Sequence, residues 1–386
     1  MTIVLSSTKI TVPGGSINPE FRSTRNVIHN GDFRVNQRAQ SSYTTNGNMN
    51  LDRWYSSWNY GAASITRQTT YQFPGYYYRA QVTSTASTAA GSFFWIASQQ
   101  LEGNDIESLN LGLYVSQQKA ITVSFWTRCS VAGTYSVLIG VKSYSGVWYY
   151  AYKPFTISIA NKWEYKTLVF SVTNDISVNC PQPTINNNFN FGIWFVGGVG
   201  SNYYNSTQGY FQSTVYAGTA SNTNLMSTAG ATFDIAKVQV EPGAVATPFQ
   251  FIPIAQEIKR CMRYYQKSYA YGTTVGTAID FNGAYGYTWD QARTHYYSTF
   301  GCWYTVPFQT RMRTTPTVTI YAPYSGNAGY FSIDQGPYND KTATVNSASD
   351  TSFQAYSASP TNYGYSVEQY YGGYIHYRAI CDAAPN

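Results

Sequence analysis

The sequence predicts an all-β protein, and three observations carry the prediction: a residue mix rich in Tyr, Thr, Ser, Asn and Gly, apolar positions that alternate with a period of two, and one helical stretch only. Strands favour aromatic and β-branched residues, and Gly and Asn supply the tight turns between them. Aromatic residues make up 17% of the 386, with 38 Tyr, 20 Phe and 9 Trp, so the chain has enough apolar surface to fold. Its length suits more than one core. The 24 Lys+Arg and 18 Asp+Glu leave a formal charge of +6 in a chain that is 11% charged, against a usual share of about 25%. That balance excludes a polybasic nucleic-acid binder. Polarity carried by hydroxyls and amides suits a protein held on a large particle.

Taken in order, residues 1–25 read as a short strand pair or arm around Pro13, Gly14 and Gly15, with too little apolar surface for a core. Such an arm needs a partner to be ordered. Residues 26–252 show many short strand signals separated by Gly, Asn and Pro clusters, the spacing of a β-sandwich. Ile121, Val123 and Phe125 alternate with Thr122 and Ser124, and Tyr135, Val137, Ile139 and Val141 keep the same period after Ala132-Gly133, which predicts a hairpin. Phe189–Val196 is apolar on alternate positions and on some between, as a central strand buried on both faces is; Gly197 to Gly200 ends it. Phe233, Ile235, Val238 and Val240 predict a closing strand returning beside the first, so that the two ends of the module are adjacent. A linker helix is predicted within 253–268, from Pro253 to Lys267, with Ile254, Ile258, Cys261 or Met262 and Tyr265 on one face; Ile254, Ile258, Met262 and Tyr265 are candidate oligomer contacts. Residues 269–386, where Gly and Tyr alternate between Pro-rich turns, read as a second, smaller all-β domain. The lack of a fixed repeat argues against a solenoid or propeller.

Several motifs then occur in a fixed order: Asn30-Gly-Asp-Phe-Arg-Val-Asn-Gln-Arg-Ala39, Leu51-Asp-Arg-Trp54, Gln100-Leu-Glu-Gly103, Val123-Ser-Phe-Trp126, Ala132-Gly-Thr-Tyr-Ser-Val137, Phe233-Asp-Ile-Ala-Lys-Val-Gln-Val-Glu-Pro-Gly243, Ala246-Thr-Pro-Phe249 and Cys261-Met-Arg-Tyr-Tyr265. Over roughly residues 26 to 267 the set resembles a family of tailed-bacteriophage tail fibre or receptor-binding proteins, built around a jelly-roll module similar to carbohydrate-binding modules. The resemblance implies a homotrimer on the tail or particle surface, assembled in the host cytoplasm. It further implies that residues 1–25 dock on other virion proteins and that host surface polysaccharide is the partner. Carbohydrate-binding jelly rolls often hold a structural calcium between the first and closing strands, which makes Asp32 and Asp234 candidate oxygen donors; no other cofactor is expected. In the family, residues 269–386 correspond to a variable C-terminal domain, the candidate receptor-binding head.

Catalysis needs convergent titratable groups, and few are present. His29, His295 and His376 lie far apart without metal-ligand spacing, and a GxSxG elbow, a phosphate loop and a Rossmann fingerprint are missing. A polysaccharide-cleaving enzyme needs two carboxylates flanking the sugar bond. Glu102, Asp105 and Glu107 form the densest acidic group, in a setting that reads as a solvated loop, and Asp334, Asp340 and Asp350 sit in loop-like contexts. The chain therefore reads as a non-enzyme with no catalytic residue assigned. Sugars stack on flat aromatic faces while amides and hydroxyls bond their OH groups. The candidate glycan-binding residues are Tyr363, Tyr365, Glu368, Gln369, Tyr370, Tyr371, Tyr374 and His376, with a second aromatic run at Tyr285–Tyr304. Tyrosines on alternate strand positions also pack cores and subunit contacts, which is the competing reading.

Three roles follow: an attachment fibre, a head fibre or capsid decoration protein, and a polysaccharide depolymerase acting through Glu102 or Asp334. No apolar run approaches the roughly 20 residues of a bilayer span, and Met1 to Ile10 lacks the pattern of a signal peptide, so neither membrane insertion nor secretory export is expected. The five cysteines are odd in number and without a CxxC pair, which predicts buried free thiols in a reducing compartment.

Overall fold

The computed structural model describes residues 4–6, 9–12, 15–17, 25–47, 49–72, 75–109, 111, 120–143, 145–171, 188–288, 301–333, 340–358 and 372–381. At the N-terminus β1 (Val4–Ser6), β2 (Lys9–Val12) and β3 (Gly15–Ile17) form a three-stranded antiparallel sheet, one strand more than the pair expected.

The large lobe is built from β4 (Tyr55–Trp58), β5 (Ala62–Thr69), β6 (Tyr76–Ser84), β7 (Phe93–Glu102), β8 (Ile121–Cys129), β9 (Gly133–Lys142), β10 (Trp148–Ile157), β11 (Glu164–Phe170), β12 (Phe189–Val199) and β13 (Thr232–Pro242). These strands form two five-stranded sheets, ordered β10-β9-β12-β7-β4 and β11-β8-β13-β6-β5. Counted one to eight from β6 to β13, the strands run 1-8-3-6 in one sheet and 2-7-4-5 in the other. That is a jelly roll, with β5 and β4 added at the edges. β13 returns beside β6, with Phe233 opposite Ala80 and Asp234 opposite Arg79. The predicted central strand is β12, buried along its length between β7 and β9.

The predicted hairpin is corrected. β8 pairs with β11 and β13, whereas β9 pairs with β10 and β12, so the turn at residues 130–132 crosses from one sheet to the other. Both runs do alternate, and Val123, Phe125, Val137 and Ile139 all enter one core between the layers. A period of two fixes which face is buried and leaves the pairing partner open. Phe33, Trp54, Phe94, Phe191, Phe195 and Phe233 fill the same core at 0% exposure. Each contributes about 1.5–3 kcal/mol through burial.

The linker helix is shorter than predicted. α1 spans Ile254–Met262, Arg263 closes it, and the residues read as its last turn form β14 (Tyr265–Lys267). β14 pairs with β22 (Gly372–Ile380), which also takes β15 (Tyr285–Thr288), β17 (Thr317–Tyr321) and β18 (Tyr330–Ile333) as partners. β18 carries β19 (Lys341–Thr342), and β16 (Gly301–Pro307), β20 (Thr344–Ala348) and β21 (Ser352–Ala358) form a further sheet. Val306, Met312, Phe331, Phe353, Ile375 and Tyr377 make the core of this second all-β lobe. Among the described residues no helix is long and apolar enough to cross a membrane. Cys129, Cys261 and Cys381 are free and buried.

Candidate functional site

Four motifs far apart in the sequence meet where the two lobes join. The Asn30 side chain folds its own turn, donating to the Val35 and Asp52 carbonyls and accepting from the Val35 N–H, while its backbone N–H donates to Glu257 Oε1 of α1 at 2.6 Å. Asp52 accepts from the Gln37 backbone N–H and side-chain amide at 2.6 and 2.7 Å. Arg53, fully buried, donates to the Gln100 carbonyl and lies 3.4 Å from the centre of the Tyr264 ring. Glu102 takes a bidentate pair from Arg263 at 2.8 and 2.7 Å and accepts from the Tyr264 hydroxyl at 2.5 Å. Asp105 stands 3.3 Å from buried His29. Burial alone raises the Asp105 carboxyl, but His29, Arg53 and Arg260 outweigh it and hold the group well below the usual carboxylate range. Of the acidic group read as a solvated loop, Glu102 is buried and accepts from Arg263 through both oxygens at the lobe junction, Asp105 pairs with His29, and Glu107 is exposed. Asp334 lies outside the described residues.

A cleft of about 590 Å³ opens on the outer face of the β10-β9-β12-β7-β4 sheet. Its construction follows from strand alternation: Trp148 and Tyr150 of β10, Leu138 of β9, Trp194 of β12 and Phe93 and Trp95 of β7 turn away from the core. Trp148 and Tyr150 stack at 6.0 Å and 19°, and the Trp194 ring stands edge-on to both. Phe93 and Trp95 stack at 5.2 Å, with Tyr203 edge-on to each. Two glycines make the floor. Gly140 and Gly192 sit opposite each other on β9 and β12, and the indole of Trp194 lies over both, so a Cβ at 192 would enter the ring and one at 140 would come within 3.0 Å of it. The Trp194 N–H donates to the Tyr55 hydroxyl at 3.0 Å. Burial raises the hydroxyls of Tyr55, Tyr150 and Tyr203. Ser57, Gln100, Lys142 and Asn188 add polar groups, and Arg313 of the second lobe completes the rim with its guanidinium 4.5 Å from the Phe189 ring.

Sequence reading placed its glycan-binding candidates in the second lobe. Tyr363, Tyr365, Glu368, Gln369, Tyr370 and Tyr371 lie outside the described residues. Tyr374 is half-buried and packs edge-on against Phe281. His376 is fully buried on β22, its ring stacked on Tyr269 at 3.6 Å and bonded to the Ser268 hydroxyl and the Asp280 carbonyl, so it cannot touch a ligand at the surface. Of the four candidate oligomer contacts, Ile254 is 44% exposed and Ile258 half-buried, whereas Met262 and Tyr265 are buried within the chain. The residues proposed for calcium do not fit it. Asp234 binds Arg79 through both oxygens and Arg128 through one, and Asp32 pairs with Arg34; a dication there faces guanidinium groups. Among the described residues no group of three or more His, Cys, Asp and Glu could hold a metal. The cleft itself left a signal that was missed: Trp148-Tyr149-Tyr150-Ala151-Tyr152 is aromatic on both strand faces, one more than a core requires.

No protein-family model matches the chain, and no curated protein sequence does. Among solved structures it is similar to the enzymatically active domain of tailspike protein 4 of bacteriophage CBA120, at 12% identity and a TM-score of 0.30, over 57% of this chain and 22% of that one. It is similar to a putative sugar-binding protein from Bacteroides thetaiotaomicron, at 12% identity and a TM-score of 0.31, over 56% of this chain and 100% of the other. A family 11 carbohydrate-binding module from Clostridium thermocellum, in complex with a mixed-linked tetrasaccharide, is 14% identical with a TM-score of 0.27, over 53% of this chain and 98% of that module.

Proposed function

We propose that the chain is a carbohydrate-binding attachment protein of a tailed-bacteriophage particle, and that the outer-face cleft of its jelly roll takes host surface polysaccharide. The observation that carries this reading is the paired aromatic platforms, Trp148 with Tyr150 and Phe93 with Trp95, facing one cleft rather than the core. Stacked rings present apolar faces to sugar C–H surfaces, and the hydroxyl, amide and Lys142 groups around them suit sugar hydroxyls. The ordered motifs of residues 26 to 267 support the phage assignment. In this reading residues 1–25 dock on other virion proteins, and three copies associate through exposed Ile254 and half-buried Ile258.

The test is binding of the labelled full chain to host cells and to their extracted surface polysaccharide, with and without periodate oxidation. Saturable binding is expected, lost on oxidation and weakened at least about tenfold in Trp148→Ala. Undiminished binding by Trp148→Ala and Trp95→Ala removes the cleft from the reading. No binding at all by the folded oligomer favours a head-fibre or decoration role.

A further inference from the structure

A second cavity, of about 460 Å³, lies between the loop that follows the first motif and the second lobe. Two arginines line it, Arg38 from the loop and Arg378 from β22, together with Ser42, Tyr43, Thr44 and Tyr265. None of the described lining residues is acidic. The Arg38 side chain is 10% exposed, and its nearest carboxylate oxygen is Asp52 Oδ1, 3.9 Å away and already accepting from Gln37. Its Nη1 is buried without a hydrogen-bond partner among the described residues. Arg378 donates from Nη2 to the Thr319 hydroxyl at 3.1 Å, while its buried Nε has no hydrogen-bond partner among the described residues. The Arg38 guanidinium sits 4.2 Å from the centre of the Tyr265 ring. Burial leaves the Tyr265 hydroxyl raised to about 12 although both arginine charges pull it down.

A guanidinium taken out of water costs several kcal/mol unless an anion and hydrogen bonds meet its donors. Both arginines line one cavity whose described lining holds no acid, and their planar guanidinium forks match carboxylates and phosphates. The rest of the wall is mostly hydroxyl and amide, with Met49, Val275 and Ile380 as its apolar part, and the space exceeds that of a bare ion. We propose that this cavity binds a carboxylate-bearing sugar unit, its carboxylate held by Arg38 and Arg378 and its hydroxyls by the Ser42–Thr45 loop. The inference goes beyond the outer-face cleft and does not depend on it.

Calorimetric titration of the full chain with glucuronate, glucose and inorganic phosphate tests it. Glucuronate is expected to bind and glucose not to bind, and Arg378→Gln should weaken glucuronate at least about tenfold. Arg38→Gln should act as Arg378→Gln does, provided its circular dichroism matches the parent chain. If Arg38→Gln does not fold, protection of Arg378 from phenylglyoxal by glucuronate, read by mass spectrometry, takes its place. Phosphate binding as tight as glucuronate, equal affinity in Arg378→Gln, or no glucuronate binding at millimolar concentration overturns the proposal.

Discussion

His29 is buried beside a carboxylate and two arginines, and its surroundings decide its charge. Burial, helped by Arg260, lowers its pKa from 6.5 to about 4, against the pull of Asp105, so the ring is neutral in the folded chain at pH 7. The unfolded chain takes up this proton near pH 6.5 and the folded chain only near 4. Stability is therefore full above pH 6.5 and drains as the pH falls towards 4, by about 2–3 kcal/mol at pH 4.5. Urea unfolding at pH 7 and 4.5 should show this loss, and His29→Asn should lose less between the same two pH values. Asp234 shows another arrangement at the same scale: fully buried, it accepts from both Arg79 and Arg128.

At the scale of elements, β7, α1 and β14 are joined by side chains rather than by a sheet. Glu102 ends β7 at 1% exposure, and Arg263 follows α1. Removing one partner strands a buried charge, so Arg263→Ala should cost about 3–5 kcal/mol, while Glu102→Leu with Arg263→Leu should cost less than the sum of the single changes. A double-mutant cycle by chemical denaturation measures the difference. The same junction explains what the sequence hid. The strands were legible because apolar residues alternate, as in Val123, Phe125 and Val137, but whether neighbours in sequence pair or face each other across the core depends on contacts made elsewhere. The helix was legible from Pro253 onward, yet its buried side carries Glu257 and Cys261, and an apolar-stripe reading selects exposed Ile254 instead. Tyr265 continues a helical pattern and is drawn into a strand by pairing with Ile380.

At the scale of the whole molecule, the two lobes share polar bonds that neither can satisfy alone. Gln37 reaches the Tyr265 carbonyl at 3.3 Å, the Arg313 N–H donates to the Arg263 carbonyl at 2.7 Å, and Arg263 in turn binds Glu102. The jelly roll and the second lobe are expected to unfold in one calorimetric transition, with the calorimetric enthalpy equal to the van't Hoff enthalpy. Two resolved peaks would show that the junction is weaker than its geometry. The candidate site was least legible at this scale. Sequence reading followed the densest tyrosines into the second lobe, whereas the cleft gathers rings from β7, β10, β12 and the residue 200–218 segment, which only the sheet order brings together.

The jelly roll also begins and ends at one corner. The Arg25 and Asn26 N–H groups both donate to the Gln250 side-chain oxygen at 2.7 and 2.9 Å, and the Val27 N–H donates to the Val240 carbonyl at 3.1 Å. A pull along the chain from Arg25 to Pro253 is carried by this short clasp, and the sandwich hangs beside the line of force instead of lying in it. Tension reaches the helix and the second lobe without passing through the sheets. Loops on the sandwich can then lengthen, or its cleft be reshaped, without changing the reach of the chain it is mounted on.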